Sequence, residues 1–187
     1  LLAQGYKVTI LEKENTVGGK INIKKGAGFK FDLTASIMMT VKSYTDIFQE
    51  AGRDYREYFE LIKVDPIYNV NYYDGTNHKF YSDIEKMKDS LEKIQGGLSK
   101  EYEKYLFKTL DKYMIAKEYL LDKKMISIKE IMRPKTIKEI LKLQPLNTSY
   151  SYIASMIHNE KLKNYLLFQA MYIGINPFKD SSVYSII

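Results

Sequence analysis

The 187 residues contain no cysteine and no tryptophan, and only two histidines and four prolines. Without cysteine, this segment has no disulfide, no thiolate metal site and no thiol nucleophile, which agrees with a cytoplasmic setting. The two histidines, His78 and His158, are far apart and show no H-x-x-x-H spacing, so no metal site is expected. No serine sits in a nucleophile-elbow context, so a hydrolytic triad is not expected either. Arginine, the residue best suited to reading base edges, occurs only at Arg53, Arg56 and Arg133; nucleic acid is therefore not an expected partner. No run reaches the roughly 18 apolar residues of a membrane-spanning helix, and no signal-peptide pattern is visible.

What is present is lysine, tyrosine and a substantial apolar fraction. The net charge is +6, from 29 basic and 23 acidic residues. Most of the positive charge is lysine beside glutamate in helical segments, a balance suited to an acidic cofactor or an anionic lipid surface. Seventeen tyrosines suit apolar cavities with polar rims. A hydrophobic content of 45% argues against disorder. The length fits one domain, or one and a half incomplete ones.

The chemistry concentrates in Lys7 to Lys20. Val8-Thr-Ile-Leu11 has the composition of a buried parallel strand. Glu12 follows at its C-terminal edge, where doubly wound folds bind nucleotides. Gly18-Gly19 allows a sharp turn or a close approach of backbone to ligand, and Lys20 adds a cation. An acid for ribose hydroxyls, bare backbone and a cation for phosphate make half of a dinucleotide site. An acid-ended strand and a Gly-Gly turn are also common for structural reasons alone. Leu1 to Gly5 reads as a helix end closed by glycine. The strand and G-x-G-x-x-G loop that precede such a unit are absent and position 1 is Leu, so an internal piece of a longer protein is expected.

Further along, Ile21 to Asp32 reads as a short hairpin around Lys24-Lys25-Gly26-Ala27-Gly28. Tyr44 to Ala51 has helical spacing, and Phe59 to Pro66 reads as a strand. Tyr68, Val70 and Tyr72 share one face of another strand, which Asp74-Gly75 returns through His78 and Phe80. Ser82 to Glu85 has the form of a capping box, opening a helix that Gly96-Gly97 closes; that glycine pair follows no acid-ended strand and is read as a stop signal only. Lys100 to about Leu121, Lys135 to Leu143, and the segment after Asn159 are further helices. Asp54, Glu57 and Glu60 alternate with Arg53 and Arg56 as a solvated face.

Ile126 to Leu143 interleaves Ile128, Ile131, Met132, Ile137, Ile140 and Leu141 with Lys129, Arg133, Lys135, Lys138 and Lys142. Such a basic amphipathic segment either lies on an anionic bilayer surface or packs its apolar face inward. Pro134 prevents one continuous helix. The organisation expected from the residues is mixed α/β. Residues 1–35 belong to a nucleotide-binding core, and residues 36–187 form a β-hairpin and helical region facing a large apolar substrate.

Taken together, these motifs resemble the flavin-dependent carotenoid desaturases of the phytoene desaturase type. Val8 to Glu12 with Gly18-Gly19-Lys20 matches that family's FAD segment, a feature shared with amine oxidases. The narrower match is carried by Gly28-Phe-Lys-Phe-Asp32-Leu with Ser36-Ile37, and by Leu61 through Asp65-Pro66, Tyr68 and Asp74-Gly75. Its most specific part is Asn159-Glu-Lys-Leu162, Phe168 through Gly174, Pro177 and Tyr184-Ser185-Ile186. The resemblance implies an incomplete Rossmann-like FAD core of the glutathione-reductase/amine-oxidase type. Glu12 would hold the adenosine ribose, and Gly18, Gly19 and Lys20 would approach the pyrophosphate.

The implied activity is desaturation of a linear apolar precursor of phytoene or dehydrosqualene type, by a cytoplasmic protein peripheral on the inner face of the cell membrane. A related carotenoid oxidase or isomerase, or a silent lipid-surface module, stays open at this point. No catalytic acid or base is assigned. Two departures stand out. Thr34-Ala35 occupy the place of the family's Gly-Pro, and the family's glycine-rich loop and C-terminal flavin and substrate segments are missing. Residues 1–187 alone are therefore expected to bind FAD weakly and to be inactive.

Overall fold

A computed structural model describes residues 1–34, 37–38, 40–122 and 128–186. Ala35 and Ser36, part of the glycine-phenylalanine-aspartate resemblance, and Ile126 at the start of the basic segment lie outside the described residues. The fold mixes helix and strand, and the chain divides into two compact units, Leu1–Lys63 and Val64–Ile187.

The first unit begins with a 3-10 turn, Leu2–Gln4, closed by Gly5 in the left-handed region at φ 83°. Val8 to Leu11 is not a strand. It runs without a ladder partner among the described residues, and Ile10 and Leu11 are 74% and 93% exposed. The composition suits a strand, but a parallel strand exists only through hydrogen bonds to neighbours, so the buried parallel strand expected here is not formed. Strands β1 (Ile23–Gly26) and β2 (Phe29–Asp32) pair antiparallel, with Ile23 opposite Asp32. Ala27 and Gly28 make the turn, both at positive φ, the geometry that matches the twist of a two-residue hairpin. Helix α1 (Val41–Glu50) follows, then a 3-10 turn at Tyr55–Glu57 capped by Asp54. Phe59 to Pro66 also forms no strand. The Phe59 amide instead donates to the Tyr55 carbonyl, continuing the turn. No described residue of this unit is buried.

The second unit carries the core. Strands β3 (Tyr68–Asn71) and β4 (Asn77–Phe80) form the hairpin that Asp74-Gly75 signals, with Tyr68 opposite Phe80. Helix α2 (Ile84–Ile94) is capped by Asp83, whose carboxylate accepts from the Glu85 and Lys86 amides. Asp83 therefore replaces the expected Ser82 cap, and the helix starts one residue later. A carboxylate at that place also meets the positive end of the helix dipole.

Helix α3 (Leu98–Ala116) runs on into a π-helical stretch, Lys117–Leu121. The basic segment divides as Pro134 requires, into α4 (Ile128–Ile131) and α5 (Pro134–Lys142), with the proline in the first turn of α5, where no amide is needed. Helix α6 (Ser149–Ala154), capped by Thr148, has no counterpart in the sequence reading. Helix α7 (Glu160–Tyr172) starts as expected at Asn159, whose side chain accepts from the Lys161 and Leu162 amides. A final 3-10 turn spans Ser182–Ile186.

The main core joins Phe80 to Met87 and Leu91 of α2, Leu98 and Tyr105 of α3, Ile153 and Ile157, and Leu162, Tyr165 and Leu166 of α7. Among the described residues, the closest ring pair is Phe80 stacked on Tyr165, with ring centroids 3.8 Å apart and planes within 5°. Tyr68 meets Tyr165 and Phe168 edge-on. Ser90 ties α2 to the hairpin by donating its hydroxyl to the Lys79 carbonyl. A smaller cluster of Ala116, Leu143 and Ile186 holds the end of α3 against the final turn.

Candidate cofactor site

Glu12 lies past the end of the extended Val8 to Leu11 stretch and is exposed. One carboxylate oxygen accepts from the Glu14 amide at 3.0 Å. This local bond holds the side chain over its own backbone, and no hydrogen bond or ion pair from a described residue reaches the other oxygen. Lys13 and Glu14 form a loose exposed pair at 3.8 Å.

Gly18 to Ile21 is a tight turn, closed by the Ile21 amide on the Gly18 carbonyl at 3.0 Å. Gly18 has φ +121° and Gly19 φ +58°. A Cβ at Gly18 would stand 2.5 Å from the Ile21 carbonyl oxygen, so the turn excludes any side chain there. At Gly19 nothing lies within 4 Å of the Cβ position, and only the backbone conformation selects glycine. Lys20 in the turn is exposed.

The four residues singled out from sequence thus fall into two groups. Glu12 offers a free acceptor oxygen, and Gly18-Gly19-Lys20 offers a bare turn with a cation. No hydrogen bond or ion pair joins Glu12 to Lys20 among the described residues. Exposed backbone and an uncommitted carboxylate are the donor and acceptor types that a dinucleotide's phosphates and ribose require. The residues present fit that group. Thr34 is exposed after β2.

The second unit holds what the sequence reading did not find. Lys161 on α7 reaches the β3–β4 turn, with its ammonium 2.8 Å from the Asp74 carboxylate and 2.7 Å from the Thr76 hydroxyl. Tyr72 donates its hydroxyl to the Lys161 carbonyl at 2.8 Å. Hydrogen bonds from Lys161 and Thr76 hold the Asp74 carboxyl well below the usual carboxylate range. Burial, with a smaller contribution from Lys161, lowers His78. Local spacing could mark Asp74-Gly75 as a turn, but nothing in the sequence pairs it with a residue so distant. Beside this junction lies a groove of about 470 Å³, lined by Tyr68, Val70, Tyr72, Tyr165 and Phe168 with Asn69, Asn71 and Asn164.

His158 is a structural histidine. Its amide and ring nitrogen both meet the Glu101 carboxylate, at 2.9 and 3.3 Å. Asp54 pairs with Arg56 at 2.6 Å on an exposed turn, as the alternation of charges suggested. No helix is long and apolar enough to cross a membrane among the described residues.

Residues 1–169 match the family model described as flavin containing amine oxidoreductase. Over all 187 residues the chain is 34% identical to the 4,4'-diapophytoene desaturase (4,4'-diaponeurosporene-forming) of Staphylococcus aureus strain Newman, and equally to that of strain USA300. The corresponding Staphylococcus haemolyticus protein is 31% identical over the same span. In each case the match covers 100% of this chain, and the chain spans 37% of the relative's length. With most of its length matched, the chain belongs to the flavin containing amine oxidoreductase family, and FAD is the cofactor that membership brings.

Proposed function

We propose that this chain is part of an FAD-dependent desaturase acting on a linear apolar carotenoid precursor of the dehydrosqualene or phytoene type. The observation that carries this reading is the 34% identity to 4,4'-diapophytoene desaturases, sustained over every residue of the chain. The aromatic groove between β3 and α7 supports it, since its walls of tyrosine, phenylalanine and valine suit an apolar chain.

Residues 1–35 form part of a Rossmann-like FAD-binding domain, and residues 36–187 the substrate-facing region. Glu12 accepts hydrogen bonds from the adenosine ribose through its uncommitted oxygen. The turn at Gly18 and Gly19 lets backbone approach the pyrophosphate, and Lys20 neutralises part of its charge. Bound FAD supplies the hydride acceptance that desaturation needs. The chain's own residues bind, orient and keep apolar surface around the substrate. Because the substrate partitions into lipid, the protein works from the cytoplasm at the inner face of the cell membrane.

Co-expression of the full-length protein with an enzyme supplying dehydrosqualene tests the reading. New conjugated hydrocarbons are expected in the lipid extract. Oxygenated products in their place, or unchanged substrate from a flavin-loaded protein, would overturn it.

A further inference from the structure

A surface helix of a folded domain normally turns its polar side to water. Helix α5 breaks that rule. Ile137 and Leu141, one turn apart, are 37% and 59% exposed, and with Pro134 they form an apolar stripe facing outward. The preceding short helix α4 and its exit extend the apolar surface through Ile128, 79% exposed, and Met132, 64% exposed. The inward side of α5 is already served by Ile140 and, just past its end, by the fully buried Leu143. The stripe is therefore the uncovered part of the helix's apolar face, beyond the edge that anchors it.

The charges beside this stripe are mostly positive. From Ile128 to Lys142 the sequence carries five cations, Lys129, Arg133, Lys135, Lys138 and Lys142, against two acids, Glu130 and Glu139. Lys138 and Lys142 line the apolar hollow along with Ile137 and Leu141. Glu139 is mostly covered and bonded to Lys142 at 2.8 Å. Lys129, Arg133, Lys135 and Lys138 have no acidic partner among the described residues. A shallow apolar stripe in a segment with an excess of cations is complementary to a bilayer's interface, where acyl chains lie beneath anionic headgroups. A protein partner would need a matching acidic rim around an apolar ridge. An anionic membrane offers both over any footprint.

We propose that α4 and α5 form the membrane-docking surface, lying in the plane of an anionic bilayer with Met132, Ile137 and Leu141 inserted below the headgroups. The inference rests on the reading of a lipid-borne substrate and says which face of the second unit meets the lipid. The proline break helps. Pro134 in the first turn of α5 separates it from α4, so Ile128 and Met132 are not bound to continue the line of Ile137 and Leu141 on one helix.

The test is flotation of the full-length, flavin-loaded protein with vesicles of phosphatidylglycerol and phosphatidylcholine, compared with phosphatidylcholine alone. The wild type is expected to float with the anionic vesicles only. The Lys135→Glu/Lys138→Glu variant is expected to bind roughly thirtyfold more weakly or worse, since each lysine near the surface is worth about fivefold. Ile137→Asn/Leu141→Ser should weaken binding while leaving the circular dichroism unchanged. A polarity-sensitive fluorophore at Leu141→Cys should shift to the blue with vesicles, whereas the same label at Asp122→Cys should not. Wild-type binding that both variants retain would overturn this surface while leaving a membrane location intact. Failure of the wild type to bind anionic vesicles would overturn both. A label at 141 already in an apolar setting without vesicles would show that the stripe is covered by protein, and would overturn the proposal.

Discussion

Lys112 is a charge that the fold of the second unit accommodates at a cost. It sits on α3 with 7% of its surface exposed, its ammonium 3.5 Å from the centre of the Tyr152 ring and 3.0 Å from the Gln144 side-chain oxygen. Burial, with repulsion from Lys108, lowers it from the ordinary 10.5 to about 8. At about 1.4 kcal/mol per pH unit that drop corresponds to roughly 3 kcal/mol against the charged form. That is the cost which the folded state carries at neutral pH, with the tyrosine face keeping it from being larger. Lys112→Met keeps the buried stem and removes the charge. The variant should therefore be more stable than the wild type at pH 7, by up to about 3 kcal/mol. Gln144 is exposed, so water can replace the lost donor.

The pH dependence gives a sharper signature. Below pH 8 both states hold the proton and the cost is fully present. Between 8 and about 10 the folded state releases it while the unfolded state keeps it, so stability rises with pH. Above about 10 the sign reverses. Burial raises Tyr72 to about 12 and pushes Tyr105 and Tyr165 higher, so the unfolded chain loses phenolic protons that the folded chain retains. Urea unfolding followed by circular dichroism from pH 7 to 11 should show a maximum near 10 for the wild type. Lys112→Met should lose the rising limb and keep the falling one. A variant less stable at pH 7, or one retaining the full rise, would refute the reasoning.

Phe80→Ala removes a ring with no exposed surface from between the hairpin and α7. It should cost about 3–5 kcal/mol in denaturant unfolding, and a cost below about 1 would mean that the stacked pair is not central. Gly18→Ala places a methyl where the Ile21 carbonyl stands. In flavin-fluorescence titrations of the full-length protein it should weaken FAD binding by at least about tenfold, the cost of forcing alanine to positive φ. Glu12→Gln should weaken the same binding by roughly 10- to 100-fold through loss of a charged acceptor, and unchanged affinity would remove Glu12 from the site. Asp74→Asn should lower Tm at pH 7. Because Asp74 is held below its usual range, the difference should vanish in strong acid, once the carboxylate of the wild type is protonated in both states.

Local chemistry was legible in the sequence wherever one element decides the outcome by itself. Asp74-Gly75 selects its hairpin, Asn159 satisfies the first amides of α7, and Pro134 divides α4 from α5, because each acts on atoms within a few residues. Val8 to Leu11 and Phe59 to Pro66 failed for the opposite reason. A strand is a pairing, and no described segment of this chain pairs with either. Asp83 displaced Ser82 as a cap by one residue, within the margin that composition leaves open at helix ends. In the candidate site, Glu12, Gly18, Gly19 and Lys20 could be named from strand composition and glycine chemistry. The bond from the Glu14 amide that orients Glu12 could not. Lys161 on the hairpin turn and Lys112 beneath Tyr152 depend on tertiary placement, and neighbouring residues carry no trace of it.

The two units use their apolar residues differently, and this bears on where chemistry and stability lie. In Leu1–Lys63 the candidate cofactor residues are surrounded by exposed Ile10, Leu11, Val17 and Ile21, so little burial holds Glu12 and the Gly18 turn in place beyond their own short hydrogen bonds. In Val64–Ile187 the rings of Phe80, Tyr105 and Tyr165 are locked in a core, and the polar contacts at Lys161 brace the aromatic groove. A substrate groove must keep its shape against an apolar ligand that offers few directional contacts, so rigid packing is what it needs. A dinucleotide brings many hydrogen-bonding groups of its own and can order a turn as it binds, at the cost of affinity. The proposed flavin end of this chain should therefore respond to ligand with a large gain in backbone protection from hydrogen exchange. The hairpin and α7 should be protected with or without it. Equal protection of residues 8–21 in both states would show that the turn is preorganised by packing that this chain does not display.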